Sequence, residues 1–281
     1  MGQVWTNPLA ALPWLGIPSS LVVSGLPFFV IILARYFLVA GGSWWLLYAR
    51  SGRLGEGIRY DIRLSVLSAG VFALATAGGL TLEGFGLTRL YSQPQQYGWW
   101  YLAFSYLAVL LLQDGFFYAT HRLFHHRALY GWFHQGHHRS RQPTPWTSFA
   151  FDPLEAVVQA VFLVAVVVLL PLHRGTLLAV LSTMTVWAMV NHLGLDHLPL
   201  RFPHHWLGHW VIGPAHHSVH HRRHQMHYGL YFTFWDRLFG TEDPAYTERL
   251  HQGALPPSPP SDRAVGKPRR DRNVQTGSDR E

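Results

Sequence analysis

Apolar residues in this chain come in long runs almost free of charge, at about 21–48, 64–82, 99–120, 156–171 and 176–193. Most approach the roughly 20 residues that a helix needs to cross hydrocarbon. The pattern therefore predicts an all-α, multi-pass membrane bundle of four or five membrane-embedded helices. Gly41 and Gly42 split the first and longest run, which predicts a tilted or kinked helix. Only "PLHRG" separates the last two runs, so they should form a hairpin that either crosses or dips in and returns. Trp99, Trp100 and Tyr101 open the third run as an interfacial aromatic belt would.

Arginines orient these helices. The loop 50–63 holds Arg50, Arg53, Arg59 and Arg63, and 121–154 holds Arg122, Arg127, Arg139 and Arg141. The opposite loops, 83–98 and 172–175, hold Arg89 and Arg174 alone. Short cytoplasmic loops are enriched in Lys and Arg, so the first pair is expected in the cytoplasm. The amino end, "MGQVWTNPLA", lacks the basic region of a signal peptide. From 251 to 281 the chain is rich in Pro, Ser and charge and is expected to be a disordered tail. Residues 1–250 read as a single integral membrane domain.

Composition agrees with a chain living partly in lipid. Hydrophobic residues make up 49% and charged residues 13%, about half the ~25% charge of soluble domains. The net charge of +7 comes from basic residues beside apolar runs and in the tail, which points to a membrane surface and not to nucleic acid. With no cysteine, disulfides and thiolate metal sites are excluded. A metal here must be held by imidazole and oxygen.

Histidine supplies the chemistry. Of 19 histidines, 15 lie in two windows, 121–138 and 204–227. "HRLFH" places His121 and His125 at the end of the third run, and two HxxHH boxes follow: His134, His137 and His138, then His217, His220 and His221. On a helical turn, positions i, i+3 and i+4 aim imidazoles into one space. Crowded imidazoles without a metal would repel once protonated and would lack partners at a membrane boundary. Neutral imidazole suits Zn, Cu, Fe and Ni. Eight are too many for one tetrahedral zinc, so two metals with open positions fit the number better. His173, His209 and His251 lack the spacing and read as structural or solvated. His126, His204, His205, His216, His224 and His227 neighbour the boxes without sharing their spacing.

With "DGFFYATHRLFHH", "FHQGHHRS", "PTPW", "PLEAVVQA", "NHLG" and "HYGLYFTFWDRLFGT", the chain from about 34 to 241 resembles the fatty acid hydroxylase superfamily, in its sterol desaturase-like branch. The resemblance implies a membrane non-haem di-iron oxygenase that hydroxylates or desaturates a lipid, of sterol or fatty acyl type, using O2 and two electrons. It implies two Fe ions held by the eight box histidines and by His192 of "NHLG", in a cytoplasmic helical cap. Relatives often carry Glu at the place of Asp196 and His at that of Asp152. Asp114, seven residues before His121, is a candidate to accept a ligand's second N–H and fix its tautomer. Glu155 and Asp196 are similar candidates. Asp236 is expected to close the fold by pairing with an arginine.

No CxxCH or GxGxxG is present, so an external donor, cytochrome b5-like or ferredoxin-like, is implied. Arg222 and Arg223 would steer it. The absence of a carboxy-terminal retention signal favours a bacterial inner membrane over the endoplasmic reticulum. A histidine-rich membrane metal transporter or metal store is the alternative. It predicts ionisable residues at mid-depth, which runs one, two and four almost lack. A hydrolase lacks its GxSxG or HExxH.

Overall fold

The computed structural model describes residues 19–48, 57–194 and 209–245. Asp196, His204, His205, His251, Arg50, Arg53 and the tail from 251 lie outside them.

Every apolar run is helical. The first forms α1 (Ser19–Tyr36) and α2 (Gly42–Tyr48), joined by a π turn at Phe37–Gly41. A Cβ on Gly41 would stand 3.3 Å from Trp146 Cη2, and Tyr36 donates its hydroxyl to the Trp146 carbonyl at 3.0 Å. The expected kink is thus a widened turn that receives the tryptophan of "PTPW".

α3 (Ile58–Gly84) buries Ala69, Ala73 and Ala77, four residues apart, and packs against α1. A Cβ on Gly25 of α1 would lie 3.6 Å from the Ala73 carbonyl oxygen. Small residues at such an interface let backbones approach where lipid removes any hydrophobic drive to associate. α4 (Trp99–Phe124) keeps Leu107 and Leu111 exposed on its outer face.

Three segments, Leu21–Tyr48, Ile58–Gly84 and Trp99–Phe124, are long and apolar enough to cross a membrane. α6 (Pro153–Leu169) and α7 (Arg174–Asn191) have 17 and 18 residues, or about 25 and 27 Å at 1.5 Å per residue. Both fall slightly short of the ~30 Å hydrocarbon core. α6 packs mainly on α3 and α7 on α4, so the expected hairpin is splayed and not a packed pair. The strand between them, β2 (Leu172–His173), pairs in parallel with β1 (Leu90–Tyr91). Val109, Leu110, Val166, Leu172, Val180 and Tyr231 make one cluster that joins α4, α6 and α7 to the later part of the chain.

This topology gathers helix ends. The start of α3, the end of α4, the start of α6 and the end of α7 meet at one end of the bundle, and Tyr48 at the end of α2 donates to the Leu193 carbonyl at 2.7 Å. Three short helices complete that end: α5 (Tyr130–Phe133), α8 (Pro214–Arg222) and α9 (Phe234–Leu238).

Candidate metal centre

α4 carries His121 in its last turn, with His125 capping it. The second box departs from the regular turn its spacing suggests. α5 stops at His134, and a separate 3-10 turn begins at His137. The cause lies beneath the loop, where Asp152 Oδ2 accepts the N–H groups of Gly136 (2.8 Å) and His137 (3.3 Å). A Cβ on Gly136 would collide with Asp152 Oδ1 and stand 2.9 Å from the Tyr60 hydroxyl. Only glycine fits between the second box and its carboxylate. The third box is helical throughout: Pro214 occupies the first turn of α8, and His217, His220 and His221 are all buried.

The histidines form two adjoining groups. His121, His125, His134, His138 and His220 make the first; His137, His192, His217 and His221 make the second. Within each, one ring nitrogen per residue lies within 4.8 Å of all the others. Each HxxHH box serves both groups, and the rings of His138 and His221 are 4.6 Å apart.

Tautomers follow from the outer hydrogen bonds, because a carbonyl oxygen can only accept. Nδ1–H donates to Tyr228 O from His121 (2.9 Å), to Met226 O from His220 (2.7 Å) and to Ala150 O from His137 (3.2 Å). It donates to Ala188 O from His192 (2.7 Å) and to Ser140 O from His221 (2.9 Å). His134 Nδ1 pairs with Glu155 Oε2 at 2.8 Å. In the five bonded to carbonyls, Nε2 therefore presents a lone pair, and the same holds for His134 when Glu155 is the acceptor. The Nε2 atoms of His121, His125 and His134 are buried without any partner. In the second group His192 Nε2 and His221 Nε2 each lie 3.0 Å from His217 Nε2. One proton on His217 can satisfy only one of them. A cation satisfies all, and this donor set suits one.

Burial keeps the rings neutral. It pushes His137 down to about 4 and His192 to about 3, against Nδ1 hydrogen bonds that act the other way. His217, His220 and His221 are held well below the ordinary histidine value by burial, and then by neighbouring imidazoles. Imidazoles kept unprotonated can take a metal without a proton to displace.

The acidic residues divide. Glu155 is fully buried and meets His134, as a tautomer-fixing carboxylate would. Asp114 touches no imidazole; its Oδ1 accepts the N–H of Tyr231 (2.7 Å) and Phe232 (3.4 Å). Asp236 pairs with no arginine; it accepts the N–H groups of Tyr228 (2.8 Å) and Gly229 (2.9 Å) and the Thr241 hydroxyl. Both carboxylates thus pin the segment whose Tyr228 carbonyl orients His121. Buried backbone amides without a sheet partner are what recruited them. Asp61 was not singled out in the sequence. It accepts the hydroxyls of Ser140 and Thr147 at 2.8–2.9 Å, and the carbonyl of that same Ser140 orients His221. An acid beside an apolar run was the signal available.

The other histidines take local roles. His173 accepts from Gly175 N–H at the start of α7, and His216 accepts from Gly213 N–H (3.2 Å). The His209 carbonyl accepts from Thr233 (2.6 Å), and His126 accepts from Ala128 N–H (3.4 Å). His227 is buried with φ 59°. His224 lies nearest the centre, its ring 4.4 Å from that of His138.

Comparison with known proteins agrees with this arrangement. A model of the family "Fatty acid hydroxylase" matches residues 106–241. The Delta(7)-sterol 5(6)-desaturase ERG3B of Gibberella zeae is 30% identical over 225 residues, covering 74% of this chain and 68% of that protein. The lathosterol oxidase of Rattus norvegicus is 31% identical over 230 residues, covering 79% and 74%. No solved structure matches the chain.

Proposed function

The chain belongs to the fatty acid hydroxylase superfamily, in its sterol desaturase-like branch, and on that premise we propose that it is a membrane-bound non-haem di-iron oxygenase acting on a sterol-type or fatty acyl lipid. The observation that supports this reading best is the set of inward Nε2 lone pairs. One iron would be held by His121, His125, His134, His138 and His220, the other by His137, His192, His217 and His221. Bound there, the iron pair would supply, with O2 and two electrons, the oxidising power to attack an unactivated C–H bond.

The protein's part is position and proton handling. Carbonyls and Glu155 fix the rings before metal arrives, so little reorganisation remains. Glu155 Oε1 is buried without a partner, as is Gln159 Nε2 one turn further along α6. These atoms would hold a water or a proton beside the first group. The substrate would come laterally from the bilayer, since the bundle's outer faces are apolar. With two protons, hydroxylation gives an alcohol and one water, and desaturation an alkene and two waters. Electrons would come from a cytochrome b5-like or ferredoxin-like donor on the cytoplasmic side, in a bacterial inner membrane. The exposed Arg223, which pairs with Asp243 (2.9 Å), would stand on that face.

The test is oxygen uptake by iron-loaded protein in nanodiscs with a reductant and a sterol or acyl lipid, products being followed by mass spectrometry. The reading predicts O2 consumption that matches lipid product. Metal flux across liposomes without oxygen use would replace it with transport.

A further inference from the structure

The resemblance implies a cytoplasmic cap that holds the histidine boxes, yet part of the chain after α7 lies alongside α4. A Cβ on Gly115 would meet Trp235 Cζ2 at 2.9 Å. The rings of Trp235 and Phe239 stack against Tyr118 at 6.2 and 5.5 Å. Tyr118 also shares a hydrogen bond of 2.9 Å with Thr241. α9 is therefore fixed beside the stretch of α4 from Gly115 to Tyr118.

If α4 crosses the bilayer from an interface at Trp99, as its length and composition allow, that stretch falls at membrane depth. Counting from Trp99, the exposed aromatic that opens α4, Gly115 is about 24 Å and Tyr118 about 28 Å along the axis at 1.5 Å per residue. Both fall within the ~30 Å of hydrocarbon. Any tilt of α4 places them deeper still. On the same count Arg122, one turn beyond, would reach headgroup level; its guanidinium is 5.8 Å from the Phe239 ring.

The outer surface of α9 suits that depth. Phe234 and Leu238 are each 59% exposed, Phe239 is 52% exposed and Trp210, in the adjoining turn, is 65% exposed. Arg237 lies over the Trp210 ring at 5.3 Å and bonds Glu242 at 3.0 Å. Apolar side chains outward with tryptophan and arginine at the rim match a lipid interface. The patch continues the exposed face of α4 at Leu111, Leu112 and Leu123.

We propose that α9 and the Trp210 turn are inserted into the bilayer, so that the cap is half immersed and its occupant on this face is phospholipid. Because Asp236 of α9 holds Tyr228, and Tyr228 holds His121, this insertion also fixes the histidine centre at the hydrocarbon edge. Packing and depth place α9 there whatever reaction the histidine centre performs.

The natural chain has no cysteine, so single spin labels can be placed without background. Labels at Leu238→Cys and Phe234→Cys, both on exposed side chains, are compared in nanodiscs with Leu111→Cys as lipid reference and Gln95→Cys as water reference. Collision with O2 and with a water-soluble nickel chelate is measured by EPR. Insertion predicts an oxygen-to-nickel ratio matching Leu111 and several-fold above Gln95. Nickel accessibility equal to that of Gln95 would put α9 in water and overturn the proposal. Low accessibility to both reagents would mean that protein, such as a second copy of the chain, covers the patch, and would overturn it equally.

Discussion

The two histidine groups differ in what stands behind them. In the second, His137, His192 and His221 are each oriented by a backbone carbonyl, of Ala150, Ala188 and Ser140. In the first, His121 and His220 use carbonyls, but His134 relies on the side chain of Glu155. The first group leaves three Nε2 atoms without partners, whereas the second closes on itself through His217. One group can therefore be perturbed through a single carboxylate; the other only through whatever holds its backbone.

Removing the shared imidazole of the second group should have the largest effect. His217→Ala is expected to bring lipid product below detection in the oxygen-uptake assay. Retained turnover would mean that the second group is dispensable. Next, Glu155→Gln should weaken metal binding at the first group by about 10–100-fold, the usual cost of losing an outer carboxylate. The second group should be unaffected, as resolved by competition with a chelator; equal loss from both would erase the distinction.

Asp61→Asn tests the other side. It disturbs Ser140 and Thr147, so metal loss should fall on the second group, with destabilisation of about 1–3 kcal/mol from a buried acceptor left imperfectly paired. Chelator competition and thermal unfolding in detergent would read the two effects. Gly136→Ala should cost about 1–3 kcal/mol by forcing Asp152 aside, and should loosen both groups because the loop feeds both. The smallest effect belongs to His173→Ala, which loses one cap of about 1 kcal/mol or less at the far end of the bundle. Its metal content and activity should equal those of the natural chain.

Much of this was legible because periodicity and spacing are local. All five apolar runs appear as helices, and each histidine of the two groups except His192 stands in a box visible by eye. His192 was reached only through the resemblance, since a single histidine after an apolar run has no spacing of its own. What the sequence hid was pairing between distant segments. Asp114 and Asp236 look like partners for a ligand and an arginine, but unpaired amides at 228–232 claim them. Asp61 reaches His221 through Ser140, 79 residues away. The break in the second box depends on Asp152, 16 residues beyond Gly136. No helical periodicity encodes such contacts.

Iron content per chain, measured by atomic emission on purified natural protein and on His134→Ala and His221→Ala, tests the central claim most directly. Two neighbouring imidazole sites predict about two irons, falling to about one in each variant, with a different site lost in each. Natural protein that retains no metal, or variants that both keep the full amount, would contradict it.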